Sequence, residues 1–134
     1  MEKTFASTQV SQIVQVRRTL KVSTQFVGFH CYPEAPDDVA FLRKRHRHIF
    51  HVTATFDVVG DNRELEFFQV QRLLKAFCAS MEMDMLSSTP TWSCEQIAEQ
   101  VHTFMLAKYP TIRVVEVSED NENSATYEVI PTHA

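Results

Sequence analysis

The sequence predicts an α+β fold: an antiparallel sheet with two helices on one face, in the order β-β-α-α-β-β. Three observations predict it. Two early segments alternate with the period of a strand, two central windows carry apolar residues at helical spacing, and two short strand-like segments flank a turn near the end.

Residues 1–12 are polar and read as an arm or an edge strand, and residues 1–134 read as one domain. From Leu20 the chain alternates: Leu20, Val22, Thr24, Phe26, Gly28 and His30 share one face, and Lys21, Ser23, Gln25, Val27 and Phe29 the other. Pro33, Pro36, Asp37 and Asp38 mark a loop, and Val39 to Arg45 reads as a short helical turn or more loop. The next strand places His46, His48, Phe50, Val52, Ala54, Phe56 and Val58 on one face, with mostly polar residues behind. Gly60-Asp61-Asn62 is a turn.

Leu65, Phe68, Leu73, Leu74 and Phe77 then recur at helical spacing, and Ser87 to Pro90 reads as a loop. Ser93 with Gln96 forms a capping-box pattern before a second helix, whose stripe is Ile97, Val101, Phe104 and Met105 and which Pro110 ends. Ile112–Val117 and Ala125–Ile130 are the last strands, on either side of a turn from Asp120 to Asn123. The sheet face away from the helices needs a partner, and oligomerisation supplies one.

Composition narrows the function. Of 134 residues, 44% are apolar, which suits a folded domain. No apolar run has the roughly 20 residues of a membrane helix, and Met1 to Val10 lacks a signal-peptide core, so the expected location is the cytoplasm. Cys31, Cys78 and Cys94 have no disulfide-framework spacing. Two glycines exclude a glycine-rich phosphate loop, and a net charge of −4 disfavours nucleic acid.

The histidines carry the chemistry. His46 and His48, two apart on a strand, point to the same face, and His30 ends the preceding strand on the face of Val22 and Phe26. Paired strands would bring the three together. Three imidazoles with an open fourth position make a catalytic zinc site; hydrogen-bonded core histidines are the other reading. His51 faces away, and His102 and His133 read as surface residues.

In order, Phe26-Val27-Gly28-Phe29-His30, His46-Arg47-His48, Glu66-Phe67, Ser93-Cys94-Glu95 and Val117-Ser118-Glu119, with Tyr127 beyond, resemble the motifs of the 6-pyruvoyltetrahydropterin and 6-carboxytetrahydropterin synthases, the tunnelling fold. The resemblance runs from about Thr24 to Glu128. It implies an oligomeric barrel, a trimer or hexamer, with sites between subunits. It implies Zn2+ on His30, His46 and His48, with Glu119 holding the guanidine-like edge of a pterin and Ser93, Cys94 and Glu95 near the ring. A carboxylate suits that edge because it accepts two parallel N–H bonds.

The chain also departs from the family. The catalytic cysteine four residues before the H-x-H pair is Leu42, and the glutamate a subclass uses is Arg43. In the Asp-His pair between the helices, Asp84 aligns with the aspartate but Met85 follows it. Cys94, at a helix N-terminus that lowers a thiol pKa, is the candidate substitute base, with Asp84 as another. Strand alternation turns Cys31 to the opposite face, and Cys78 reads as buried. The run Arg43-Lys44-Arg45-His46-Arg47 is a solvated loop, a triphosphate contact such as Arg43 would give, or, least in keeping with the acidic balance, a nucleic-acid contact.

Three functions follow. The first is a zinc-dependent lyase acting on 7,8-dihydroneopterin triphosphate or a related pterin, of the kind that feeds 7-deazaguanine (queuosine-type) synthesis. The second is a zinc- and pterin- or purine-binding protein without turnover. The third keeps the oligomeric scaffold alone.

Overall fold

A computed structural model describes residues 13–132, so the N-terminal arm or strand proposed for residues 1–12, and His133, lie outside the described residues. The elements are β1 (Arg18–His30), a short 3-10 segment (Asp37–Arg43), β2 (His46–Val58), α1 (Phe67–Ser88), α2 (Cys94–Leu106), β3 (Ile112–Glu119) and β4 (Asn123–Glu128). The strands form one antiparallel sheet in the order β1-β2-β3-β4. The predicted α+β order and topology are therefore observed, and the 3-10 segment settles the Val39 to Arg45 alternative in favour of a helical turn.

One sheet face is apolar because β1 and β2 alternate in phase. Val22 and Phe26 of β1 and Phe50, Val52, Ala54 and Phe56 of β2 are buried against the helices, with Val115 and Val117 of β3. Gly28 allows closest approach. A Cβ there would stand 2.5 Å from the Met85 sulfur and 2.6 Å from Cε2 of Phe50. At the Thr55/Phe56 register shift β3 carries a bulge, and Arg113 donates to the Asp57 carboxylate from the far face.

The helices correct three expectations. The buried stripe of α1 is Val70, Leu74, Cys78, Met81 and Met85, whereas Phe68 is 69% exposed. Methionine and cysteine fill this core, and a search for leucine and phenylalanine passes over them. α1 also runs through Ser88 to a left-handed Thr89, absorbing part of the expected loop. α2 begins as its sequence predicts: the Ser93 hydroxyl accepts the Gln96 amide and the Gln96 side chain accepts the Ser93 amide. His102, expected at the surface, is 2% exposed and packs on Tyr127, because its helix face turns onto β3 and β4. No helix among the described residues is long and apolar enough to cross a membrane.

Candidate metal centre

Register builds the cluster. His30 is the cross-strand partner of His46, and Gly28 that of His48, so three imidazoles meet at one end of the β1–β2 pair. Their ring centroids lie 4.5 to 5.2 Å apart, and one nitrogen from each falls within 4.8 Å of the others. Phe50 stands edge-on to His30 and His48 and floors the cluster.

Each ring is also oriented from behind. Nδ1 of His30 lies 2.7 Å from the Trp92 carbonyl, Nδ1 of His46 lies 2.8 Å from the Lys44 carbonyl, and Nδ1 of His48 lies 2.7 Å from an Asp120 carboxylate oxygen. With a metal bound, protons on all three Nδ1 atoms would leave every Nε2 free to ligate, the outer-shell pattern of histidine metal ligands. Nε2 of His48 is buried without a hydrogen-bond partner. An orphaned ring nitrogen among three convergent imidazoles fits a divalent metal such as zinc.

Glu119, the last residue of β3, reaches into this group. Its carboxylate oxygens lie 3.3 Å from Nε2 of His30 and 3.7 Å from Nε2 of His48. The hydrogen bond with His30 leads the effects that hold Glu119 below the usual carboxylate range. Burial disfavours a His30 cation, but the bond and charge of Glu119 and the Trp92 carbonyl outweigh it, and the His30 pKa rises. His46 goes the other way: burial comes first, its two imidazole neighbours add to it, and its pKa falls. Asp120, bonded to His48 and to the Ile49 amide, is held low.

A cavity of about 560 Å³ opens beside His30 and His46. Its walls include Cys31, Leu42 and Trp92, and of the expected site residues the structure brings His30, His46, Ser93, Cys94, Glu95 and Glu119 together there. Cys31 is the surprise. It was expected on the opposite face, but it follows the last β1 residue, donates its amide to Pro90 and is freed from strand alternation.

Other expected residues stand apart. Asp84 is an exposed residue of α1, not of a loop, and does not line the cavity. Arg43 donates to the Ala35 carbonyl and the Asp37 carboxylate and does not line it either. Arg45 bonds Thr89 and covers the Phe29 ring, so the basic run is partly tied down. The Cys94 thiol, expected to be acidified by the helix terminus, is pushed up to about 12, chiefly by burial and then by the charge of Glu119. Sequence reasoning missed the roles of Asp120 and the Trp92 carbonyl. Only the position of Asp120 directly after Glu119 could have signalled one of them.

No family model matches the sequence, and no curated protein matches it. Solved structures do. The 6-pyruvoyl tetrahydropterin synthase of Caenorhabditis elegans superposes with a TM-score of 0.65 at 12% identity, over 89% of this chain and 100% of that one. An uncharacterized protein of Wolinella succinogenes gives a TM-score of 0.55 at 12% identity, over 85% of this chain and 99% of that one. At this identity the likeness shows the fold, which is the one the sequence motifs imply.

Proposed function

We propose that this chain binds a pterin or purine-like ring in the cavity beside the histidines and acts on the ring's side chain as a zinc-dependent lyase of the synthase type. The substrate class is 7,8-dihydroneopterin triphosphate or a related pterin, and the product would suit 7-deazaguanine synthesis. One observation carries the reading: a ring nitrogen from each of the three histidines converges on the others while every Nδ1 has an oxygen partner behind it. Zinc bound there would polarise a side-chain oxygen and acidify the neighbouring C–H.

The protein groups have separable tasks. A cavity of about 560 Å³ lies within the range of small-molecule sites. Trp92 offers an aromatic wall, and Glu119 a carboxylate for the guanidine-like ring edge, with Glu95 near the ring. Ser93 spends its hydroxyl on the helix cap. Cys94 and Glu119 are the ionisable pair beside the imidazoles, and a thiol held protonated gives a proton more readily than it takes one. Arg43 and Asp84 would serve only a neighbouring subunit's cavity, in the trimer or hexamer proposed to close the sheet into a barrel. A single domain and a cytoplasmic location, where the three free thiols would stay reduced, complete the proposal.

A second reading, binding without turnover, is favoured by Leu42, which puts an apolar wall where the family motif has its cysteine. One experiment separates the two. Zinc-loaded protein is incubated with 7,8-dihydroneopterin triphosphate and followed by mass spectrometry, with His46→Ala and His48→Ala as controls. Zinc-dependent loss of the side chain supports the lyase. Retention of intact pterin without conversion sinks it and leaves the binder. Native mass spectrometry of the same sample tests the oligomer.

A further inference from the structure

We propose that the cavity takes a pterin whose side chain is an uncharged polyol, with no phosphate on it. The inference rests on the pterin reading above and narrows its substrate from the triphosphate to the phosphate-free relative, 7,8-dihydroneopterin.

Charge is the first support. A triphosphate carries several negative charges and is held by arginine, lysine or an open helix N-terminus. Among the described residues, no lysine or arginine lines the cavity, whereas Glu95 and Glu119 both do. Two carboxylates without a protein cation repel a polyanion at close range, and one divalent ion on the histidines offsets those two charges and no more. The basic run beside the histidines is engaged elsewhere. Arg43 donates to the Ala35 carbonyl and, at 2.6 Å, to the Asp37 carboxylate. Arg45 donates to the Thr89 hydroxyl and covers the Phe29 ring. Arg47 lies between His46 and His48, so strand alternation turns it to the opposite sheet face.

The N-terminus of α2 opens on the same cavity, and it is taken as well. The Ser93 hydroxyl accepts the Gln96 amide, the Gln96 side chain accepts the Ser93 amide, and Glu95 puts a carboxylate in the first turn. The positive end of the helix dipole thus already faces a negative side chain. The polar groups that remain on the walls are neutral, among them the Tyr32 and Thr91 hydroxyls and the Asn123 amide. Hydroxyls and amides both donate and accept, which is what a polyol side chain needs.

The test is calorimetric titration of zinc-loaded, full-length protein with 7,8-dihydroneopterin and with its triphosphate, so that any cation a neighbouring subunit supplies takes part. Dihydroneopterin should bind at least about tenfold more tightly. Raising the salt from about 0.01 to 0.1 M shortens the screening length from about 30 to 10 Å, and should tighten the triphosphate or leave it unchanged. Glu95→Lys should move the preference toward the triphosphate by at least about tenfold. Should that variant fail to fold by circular dichroism, Glu95→Gln replaces it, and a smaller move in the same direction is the result expected. A triphosphate that binds more tightly than dihydroneopterin, one whose binding weakens with salt, or a folded Glu95 variant with an unmoved preference overturns the proposal. Protein that binds neither compound overturns the pterin reading itself, and this inference with it.

Discussion

Gly28 joins the core to the histidine cluster, and its replacement by alanine tests both at once. Its backbone is not in the left-handed region, so crowding alone decides the outcome. The added Cβ would meet the Met85 sulfur at 2.5 Å and Phe50 ring carbons at 2.6 and 2.7 Å. Overpacking of this kind costs about 1–3 kcal/mol. Reduced freedom of the unfolded chain returns about 0.4–1 kcal/mol. The net expectation is a loss of about 1–2 kcal/mol, a fall of roughly 0.5–1 M in the urea midpoint. The displaced ring is Phe50, which stands edge-on to His30 and His48, so zinc affinity should fall with stability. Adding Met85→Ala relieves the shortest contact, and the pair should be more stable than the sum of the single losses by at least about 0.5 kcal/mol. Urea titrations of the four proteins, stripped of metal, measure this directly. A Gly28→Ala protein as stable as wild type would refute the packing assigned to this corner.

Three further outcomes are expected. Zinc at about a hundred times its dissociation constant should stabilise the fold by about 2.7 kcal/mol, a rise on the order of 10 °C in Tm, and His48→Ala should abolish it; thermal scans with and without chelator read this. Alkylation of Cys94, followed by peptide mass spectrometry, should be negligible near pH 8 and climb steeply above pH 10, since a thiol pushed up to about 12 is about one part in ten thousand thiolate at pH 8; rapid alkylation at neutral pH would contradict its burial beside Glu119. His102 is buried and held below its ordinary value of about 6.5, burial being the main cause. Its contribution is intact above the unfolded value and is lost as pH falls through the folded one, with a slope of at most about 1.4 kcal/mol per pH unit. His102→Gln should flatten the metal-free stability profile below pH 6.5, and an unchanged profile would show that the ring is accessible to protons in the fold.

The topology was legible because β1 and β2 carry period-two patterns thirteen residues long, and such patterns survive any reasonable choice of boundary. Glycines and prolines are few, so the turns stood out. The face of α1 was misread for a physical reason. Its core contacts are made by Met81, Met85 and Cys78, flexible or small side chains that a hydropathy stripe underweights beside Phe67 and Phe68, which lie exposed at the helix start. The loop expected from Ser87 starts later because the helix continues through Ser88 to Thr89. Cys31 escaped because alternation holds only while the strand lasts, and β1 ends at His30.

The cluster was legible for a stricter reason, and that reason bears on what the chain does. A His-x-His pair on one strand and a terminal histidine on its neighbour converge only in one register, because a one-residue slip turns His46 and His48 to the opposite face. The register is fixed elsewhere, by the burial of Val22, Phe26, Phe50, Val52, Ala54 and Phe56 along the same strands. The hydrophobic core therefore places the imidazoles without help from a metal. The acid-base side of the site has no such anchor. Leu42 and Arg43 lie in the 3-10 segment, which has no buried residue, so exchange there leaves the core untouched. A scaffold of this kind keeps its ligands while its reactive groups change. The three histidines then speak for binding, and the chemistry must be read from Glu119 and Cys94, the two ionisable groups that the ends of β3 and α2 hold beside them.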